Sequence, residues 1–204
     1  MLSKPDLLRT LPCPHADFVL RPWTRPDVTL LAAWPSYPFP FHPLNLSCAH
    51  QPPAALDHYF ASRDTDPHRI SLIIDLPSQP AVGYLALLDL DFPARAARNL
   101  VVRLHPAHCN QGRGTAMLQL LTTWSTRAGI ASLSLDVAAA NQRAIRCYLK
   151  AGFSILSEFW RDETNLSPAD LARPDYAFAR PHTRLSGTSL QTRFYTMQFP
   201  ATPP

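Results

Sequence analysis

Gly112 and Gly114 stand one residue apart in the stretch HPAHCNQGRGTAM, residues 105–117, between an apolar run and a helical pattern; the whole chain of 204 residues has six glycines. A strand, a tight glycine turn and a helix start together form a general device for holding phosphate. The first-turn N–H groups of a helix lack intrahelical partners and sit at its positive end. Glycine lets a ligand approach the backbone where a Cβ would block it. Taken alone, the pair also fits a plain tight turn. The G-K-[ST] of a P-loop is absent, and Met117 stands where a dinucleotide fingerprint needs its third glycine. Cys13, Cys48, Cys109 and Cys147 form no C-x-x-C pair, which points away from a structural zinc site and from a disulfide framework.

The elements that must position this turn can be read from periodicity. From Gly112 on, Met117, Leu121, Trp124 and Ala128 fall on one helical face, and Gly129 follows where a C-cap belongs. SLSLDVA (132–138) alternates as a half-buried strand. Asn141 can cap a helix over NQRAIRCYLKA that Gly152 ends. Upstream, residues 17–23 read as a strand, 25–34 and 53–63 as helices, and 69–76 with 81–92 as a hairpin; 99–106 is a third β-run, closed by Pro106. SILSEFW (154–160) and RFYTMQF (193–199) are two more strands, with a loop-like insert over 161–192. The order β-α-α-β-β-β-α-β-α-β-β predicts an α/β fold around one mixed sheet, in a single domain over 1–204.

Composition narrows the function classes. An apolar fraction of 46% suits a globular core, and no apolar run is long enough for a membrane span. No secretory signal is expected, and the setting predicted is cytoplasmic. The net charge is +4, almost all of it from scattered arginines, which suits a polyanionic small molecule better than nucleic acid. The 22 prolines gather at 35–53, 168–181 and the C-terminus, and these stretches are expected to be loops.

HPAHCNQGRGTAM followed by LDVAAANQRAIRCYLKAGF resembles the GNAT family of acyl-CoA N-acyltransferases, most strongly over 99–160. The first part is similar to that family's Arg/Gln-x-x-Gly-x-Gly/Ala motif, with Cys109 at the Arg/Gln position. In the second, Asn141, Ala144, Tyr148, Gly152 and Phe153 match the family's helix motif. The opening FVLRPWTRPDVTLLAAW resembles the branch that includes ribosomal-protein N-terminal acetyltransferases. The resemblance implies a mixed, mostly antiparallel sheet of six to seven strands flanked by about four helices. It implies acetyl transfer from acetyl-CoA, with no metal, to a primary amine in a ternary complex; the acceptor is a small molecule or a protein N-terminus. A non-catalytic acyl-CoA-binding module is the alternative. No nucleic acid or membrane partner is expected, and the chain is expected to be a monomer or a homodimer.

The resemblance also implies roles. Backbone N–H groups of Gln111, Gly112, Arg113, Gly114, Thr115 and Ala116 hold the diphosphate, with Arg113 a substitute for the missing Arg/Gln side chain. A backbone N–H near Leu104 faces the thioester carbonyl. Asn141 holds the pantetheine arm, caps the helix, or does both. Tyr148 protonates the leaving thiolate, its other reading being a core tyrosine. Asp136 is the candidate base, its other reading being a solvated or helix-capping aspartate; Glu158 is second, and His105 and His108, otherwise plain loop residues, stand behind them; Asp136 alternates with Leu135 and Val137 and so lies on the other sheet face. Tyr37, Phe39 and Phe41 either line the acceptor slot or plug the core. The 161–192 insert is expected to form a lid or an acceptor wall.

Overall fold

The computed structural model describes residues 2–39, 41, 44–164 and 166–200. Helix α1 (Lys4–Arg9) and strand β1 (Cys13–His15) precede β2 (Phe18–Pro22), α2 (Arg25–Ala32) and α3 (Pro53–Asp64). Then come β3 (Ile70–Leu76), β4 (Gln79–Asp91), β5 (Ala96–Leu104), α4 (Arg113–Arg127), β6 (Ser132–Ala138), α5 (Gln142–Lys150) and β7 (Ser154–Asp162). The last elements are α6 (Pro168–Ala172), β8 (Thr183–Ser186) and β9 (Ser189–Phe199). The described residues thus form nine strands and six α-helices, more than the six to seven and four expected. The additions, α1, β1, α6 and β8, are three to six residues long, too short to leave a periodic signature. The insert is correspondingly more than a loop: β7 runs into it, α6 and β8 lie within it, and β9 begins at Ser189.

The sheet order is β1-β2-β3-β4-β5-β6-β9-β7, with β8 also on β9. β3 and β4 are covered on both faces, which explains their nearly continuous apolar runs. Leu72, Ile74, Leu85 and Leu87 face one core, with Leu7 of α1 and Met117, Leu121 and Trp124 of α4. Ile73, Tyr84 and Ala86 face the other, with Val28 and Leu31 of α2 and Leu56 of α3. At Gly83 of β4, Met117 of α4 packs directly on the backbone. A Cβ there would stand 2.6 Å from Met117 Sδ and 3.0 Å from Ile74 Cβ, so only glycine fits.

One pairing differs in kind from the rest. β5 and β6 run parallel, and they pair only at Ala96↔Ser132 and Ala97↔Leu133. Ser134 Oγ still reaches Arg98 O at 2.9 Å. Beyond that point the remaining residues of the two strands, 98–104 and 134–138, diverge without a ladder. The sheet therefore opens in its middle, at the end where α4 and α5 begin.

Candidate active site

A cavity of about 710 Å³ fills this opening. Leu100, Val102 and Leu104 of β5 form one wall, and Asp136, Val137 and Ala138 of β6 the other. The turn before α4 closes one end, and α5 supplies Asn141, Ala144 and Tyr148. The proline-rich loop and the insert close the opposite end, with Phe41, Tyr176 and Phe178.

The turn is built by two left-handed residues. Asn110 has φ +62°; Gly112, with φ +76°, is the N-cap of α4. Asparagine tolerates this region and glycine occupies it freely. Among the described residues, the N–H groups of Gln111, Gly112, Arg113 and Gly114 donate to no backbone carbonyl, whereas those of Thr115 and Ala116 turn inward to Gly112 O at 3.0 and 3.2 Å. Of the six residues expected to hold a diphosphate, 111–114 thus keep open N–H groups. Gly114 has no close neighbour: a Cβ would lie 3.6 Å from Cys147 Sγ and 3.8 Å from Leu104 Cδ2, ordinary contact.

Side chains brace the cradle from behind. Gln111 Nε2 donates to Ala107 O at 2.8 Å. Arg113 donates to His108 Nδ1. His108 Nε2 meets Gln79 Oε1 at 2.9 Å, which makes the neutral tautomer with hydrogen on Nε2 the consistent one. Burial, together with the Arg113 cation, holds its pKa below the ordinary histidine value. His105 packs edge-on to Trp34 with ring centroids 5.4 Å apart, and its Nδ1 accepts from Ala107 N–H at 3.2 Å. Neither histidine lines the cavity; both shape the turn. Cys109 does line it, and burial pushes its thiol above the usual range, which disfavours the reactive thiolate.

Leu104 lies where it was expected, but its N–H is taken. The Tyr37 hydroxyl accepts from Leu104 N at 3.2 Å and donates to Leu104 O at 2.5 Å. His105 N already bonds Val82 O on β4, so Leu104 turns its polar groups to the opening, where β6 is too far to pair. Buried backbone groups need a partner, and the phenol supplies it from the proline-rich loop. Burial, with Cys109 nearby, pushes that phenol up to about 12.

Tyr148 is 8% exposed and packs on Phe153, with ring centroids 5.7 Å apart. It lines the cavity, and no described residue hydrogen-bonds its hydroxyl. Burial pushes this phenol up to about 12 as well. Asn141 caps α5 by accepting from Ala144 N at 3.2 Å; its carboxamide NH₂ remains a donor at the cavity edge.

Asp136 projects from the face opposite the buried Leu135 and Val137 and lines the cavity. Arg161 donates to its Oδ2 at 2.7 Å and Thr196 to its Oδ1 at 2.9 Å. Glu158 is not brought to it. Register pairs Asp136 with Thr196 and Glu158 with Tyr195, so the two carboxylates lie on opposite sheet faces. Glu158 is outside the cavity and faces Arg193 at 3.7 Å. The second carboxylate that does line it is Glu163, whose Oε2 accepts from Thr192 at 2.6 Å. No sequence signal separated Glu163 from the other acids of the insert.

Among the described residues no group of three or more His, Cys, Asp or Glu is placed to hold a metal ion, and no helix is long and apolar enough to cross a membrane. The solved structures most like this one include a chimera of the spermidine N-acetyltransferase SpeG from Vibrio cholerae and hSSAT, with TM-score 0.64 and 15% identity over 90% of this chain and 95% of that one. The V. cholerae spermidine N-acetyltransferase in complex with CoA and spermine gives 0.62 and 13%, covering 91% and 96%. A GNAT-family acetyltransferase from Streptococcus pneumoniae gives 0.57 and 18%, covering 89% and 97%. At these identities the likeness is one of fold. No curated protein matches the sequence. Residues 27–153, however, match the acetyltransferase (GNAT) family. The chain belongs to this family of N-acetyltransferases, which move an acetyl group from acetyl-CoA to an amine.

Proposed function

We propose that this chain acetylates a primary amine by direct attack, with its own residues in the following roles. The open N–H groups of Gln111 to Gly114 hold the diphosphate of acetyl-CoA at the positive end of α4. The pantetheine arm runs between β5 and β6, where Asn141 donates to it. For Leu104 N–H to face the thioester oxygen, the Tyr37 hydroxyl must yield it. The amine enters from the Asp136 face. Its nitrogen bonds to the carbonyl carbon, the C–S bond breaks, and the thiolate leaves against the Tyr148 hydroxyl. The proton lost by nitrogen passes to Asp136 or Glu163, directly or through water.

The observation that carries this reading is the unbonded Tyr148 hydroxyl in the same cavity as the open cradle. Tyr148 lines the cavity and its hydroxyl has no partner among the described residues; a leaving thiolate would give it one. The test is calorimetry with coenzyme A, followed by thiol release from acetyl-CoA in the presence of amines. Submillimolar binding and amine-dependent thiol support the proposal; no uptake of coenzyme A at millimolar concentration overturns it.

A further inference from the structure

The acceptor end of the cavity has a chemistry of its own. Phe194 of β9 faces the same side of the sheet as Asp136, two positions from its partner Thr196. Arg161 lies over the Phe194 ring at 4.4 Å while it bonds Asp136, tying aromatic wall and carboxylate together. Phe41 forms another wall, fixed by the Arg143 guanidinium 4.0 Å above its ring. The insert adds Tyr176 and Phe178, stacked 22° from parallel. Phe39 of the proline-rich loop meets Tyr176 edge-on at 4.7 Å and Phe178 at 6.4 Å. The two loops therefore touch through aromatic rings and roof this end.

The charges point the same way. Asp136 and Glu163 are the only acids among the described lining residues, against four cations, Arg103, Arg143, Arg146 and Lys150. Asp136 already carries the Arg161 guanidinium. The carboxylate side offers an ammonium group an opposite charge. Flat apolar rings have offset-stacked and edge-on partners waiting.

We infer that the acceptor is a monoamine carrying an aromatic or similarly flat apolar group, its amine directed at the Asp136–Glu163 side and its ring held by Phe41, Tyr176, Phe178 and Phe194. This rests on the acetyl-transfer reading above. A flexible polyamine offers these rings no flat face to stack on, and a protein N-terminus would have to part the Phe39–Tyr176 contact.

The experiment compares 2-phenylethylamine, spermidine and an alanyl tripeptide as acceptors for the full chain, by thiol release from acetyl-CoA. The expected kcat/KM for 2-phenylethylamine is at least tenfold above either rival. Phe178→Ala, at a half-exposed ring, is expected to raise KM for 2-phenylethylamine at least fivefold while coenzyme A affinity holds. Spermidine or the peptide equalling 2-phenylethylamine overturns this inference and leaves acetyl transfer standing. No thiol from any of the three overturns both. A KM untouched by Phe178→Ala also counts against the inference.

Discussion

Tyr148→Phe isolates one hydroxyl. The ring keeps its packing on Phe153, and no hydrogen bond to a described residue is lost, so folding is expected to survive with Tm unchanged or slightly raised. The effect on catalysis follows from acidity. Burial holds the phenol at about 12, whereas an ordinary thiol titrates near ~8.5. Full proton transfer to the leaving thiolate would then run uphill by roughly 3.5 pKa units, or about 5 kcal/mol. In the proposed reaction the hydroxyl would then serve chiefly as a hydrogen-bond donor to the sulfur, and the thiolate would take its proton later from water. Loss of one such donor costs on the order of 10²–10³ in kcat, about 3–4 kcal/mol. The assay is steady-state thiol release with a saturating amine, with coenzyme A affinity measured by calorimetry. The expected result is kcat down by that factor, coenzyme A affinity within twofold, and no limb in either pH profile assignable to Tyr148 below about pH 11. A kcat within threefold of the parent would refute the assignment. A lost alkaline limb near pH 8–9 would refute the acidity argument.

Gly112→Ala and Gly114→Ala should part company. The first forces a side chain into φ +76° and is expected to cost about 1–2 kcal/mol of stability. The second meets only ordinary contacts in a helical first turn, so Tm should hold while coenzyme A affinity drops about tenfold if the backbone itself meets the diphosphate; unchanged affinity in thermal-shift titration would count against the cradle. Tyr37→Phe removes the hydroxyl from Leu104 and is expected to cost about 1–2 kcal/mol in denaturant melts yet tighten coenzyme A binding, because a competitor for that peptide is gone; weaker binding would show that the phenol helps hold the ligand. Away from the site, Arg21 bridges Asp27 at 2.7 Å and Asp75 at 2.5 Å. Burial works to raise the Asp27 pKa, but the Arg21 fork and Thr24 together leave it below the ordinary value. Its stabilisation is therefore present above about pH 4 and lost as acid takes the pH through the lowered value. Asp27→Asn should cost about 2–4 kcal/mol at pH 7 and flatten the melting-temperature profile below pH 4; an unchanged profile would sink that account.

The parts legible in the sequence are those with long periodic signals. α4 shows its buried face through Met117, Leu121 and Trp124, and β6 shows its alternation through Leu133, Leu135 and Val137. The glycine turn was readable because its neighbours on both sides were. Glu158 shows where such reading stops. Leu156 is an extra residue in β7, so that Ile155 pairs with Met197 but Ser157 with Thr196. Without this bulge the same register would bring Glu158 opposite Phe194, on the Asp136 face. One inserted residue sends it to the other side, and nothing in SILSEFWRD marks the insertion. The Tyr37 contact was hidden for another reason: it spans 67 residues, from a proline-rich loop whose path is fixed by tertiary contacts such as Arg103 Nε to Leu44 O at 2.7 Å.

The sparse pairing of β5 with β6 reaches beyond catalysis. The first five strands and the last four share one sheet and one core, but the ladder between them is only two paired positions long, with Ala131 N–H and Ser134 Oγ adding bonds to Arg95 O and Arg98 O. Any chain lying in that seam acts as a missing strand, and a ligand at a hundred times its Kd would add about 2.7 kcal/mol to the native state. Abundance of the protein would then track the supply of its own cosubstrate, with starved molecules first in line for proteolysis.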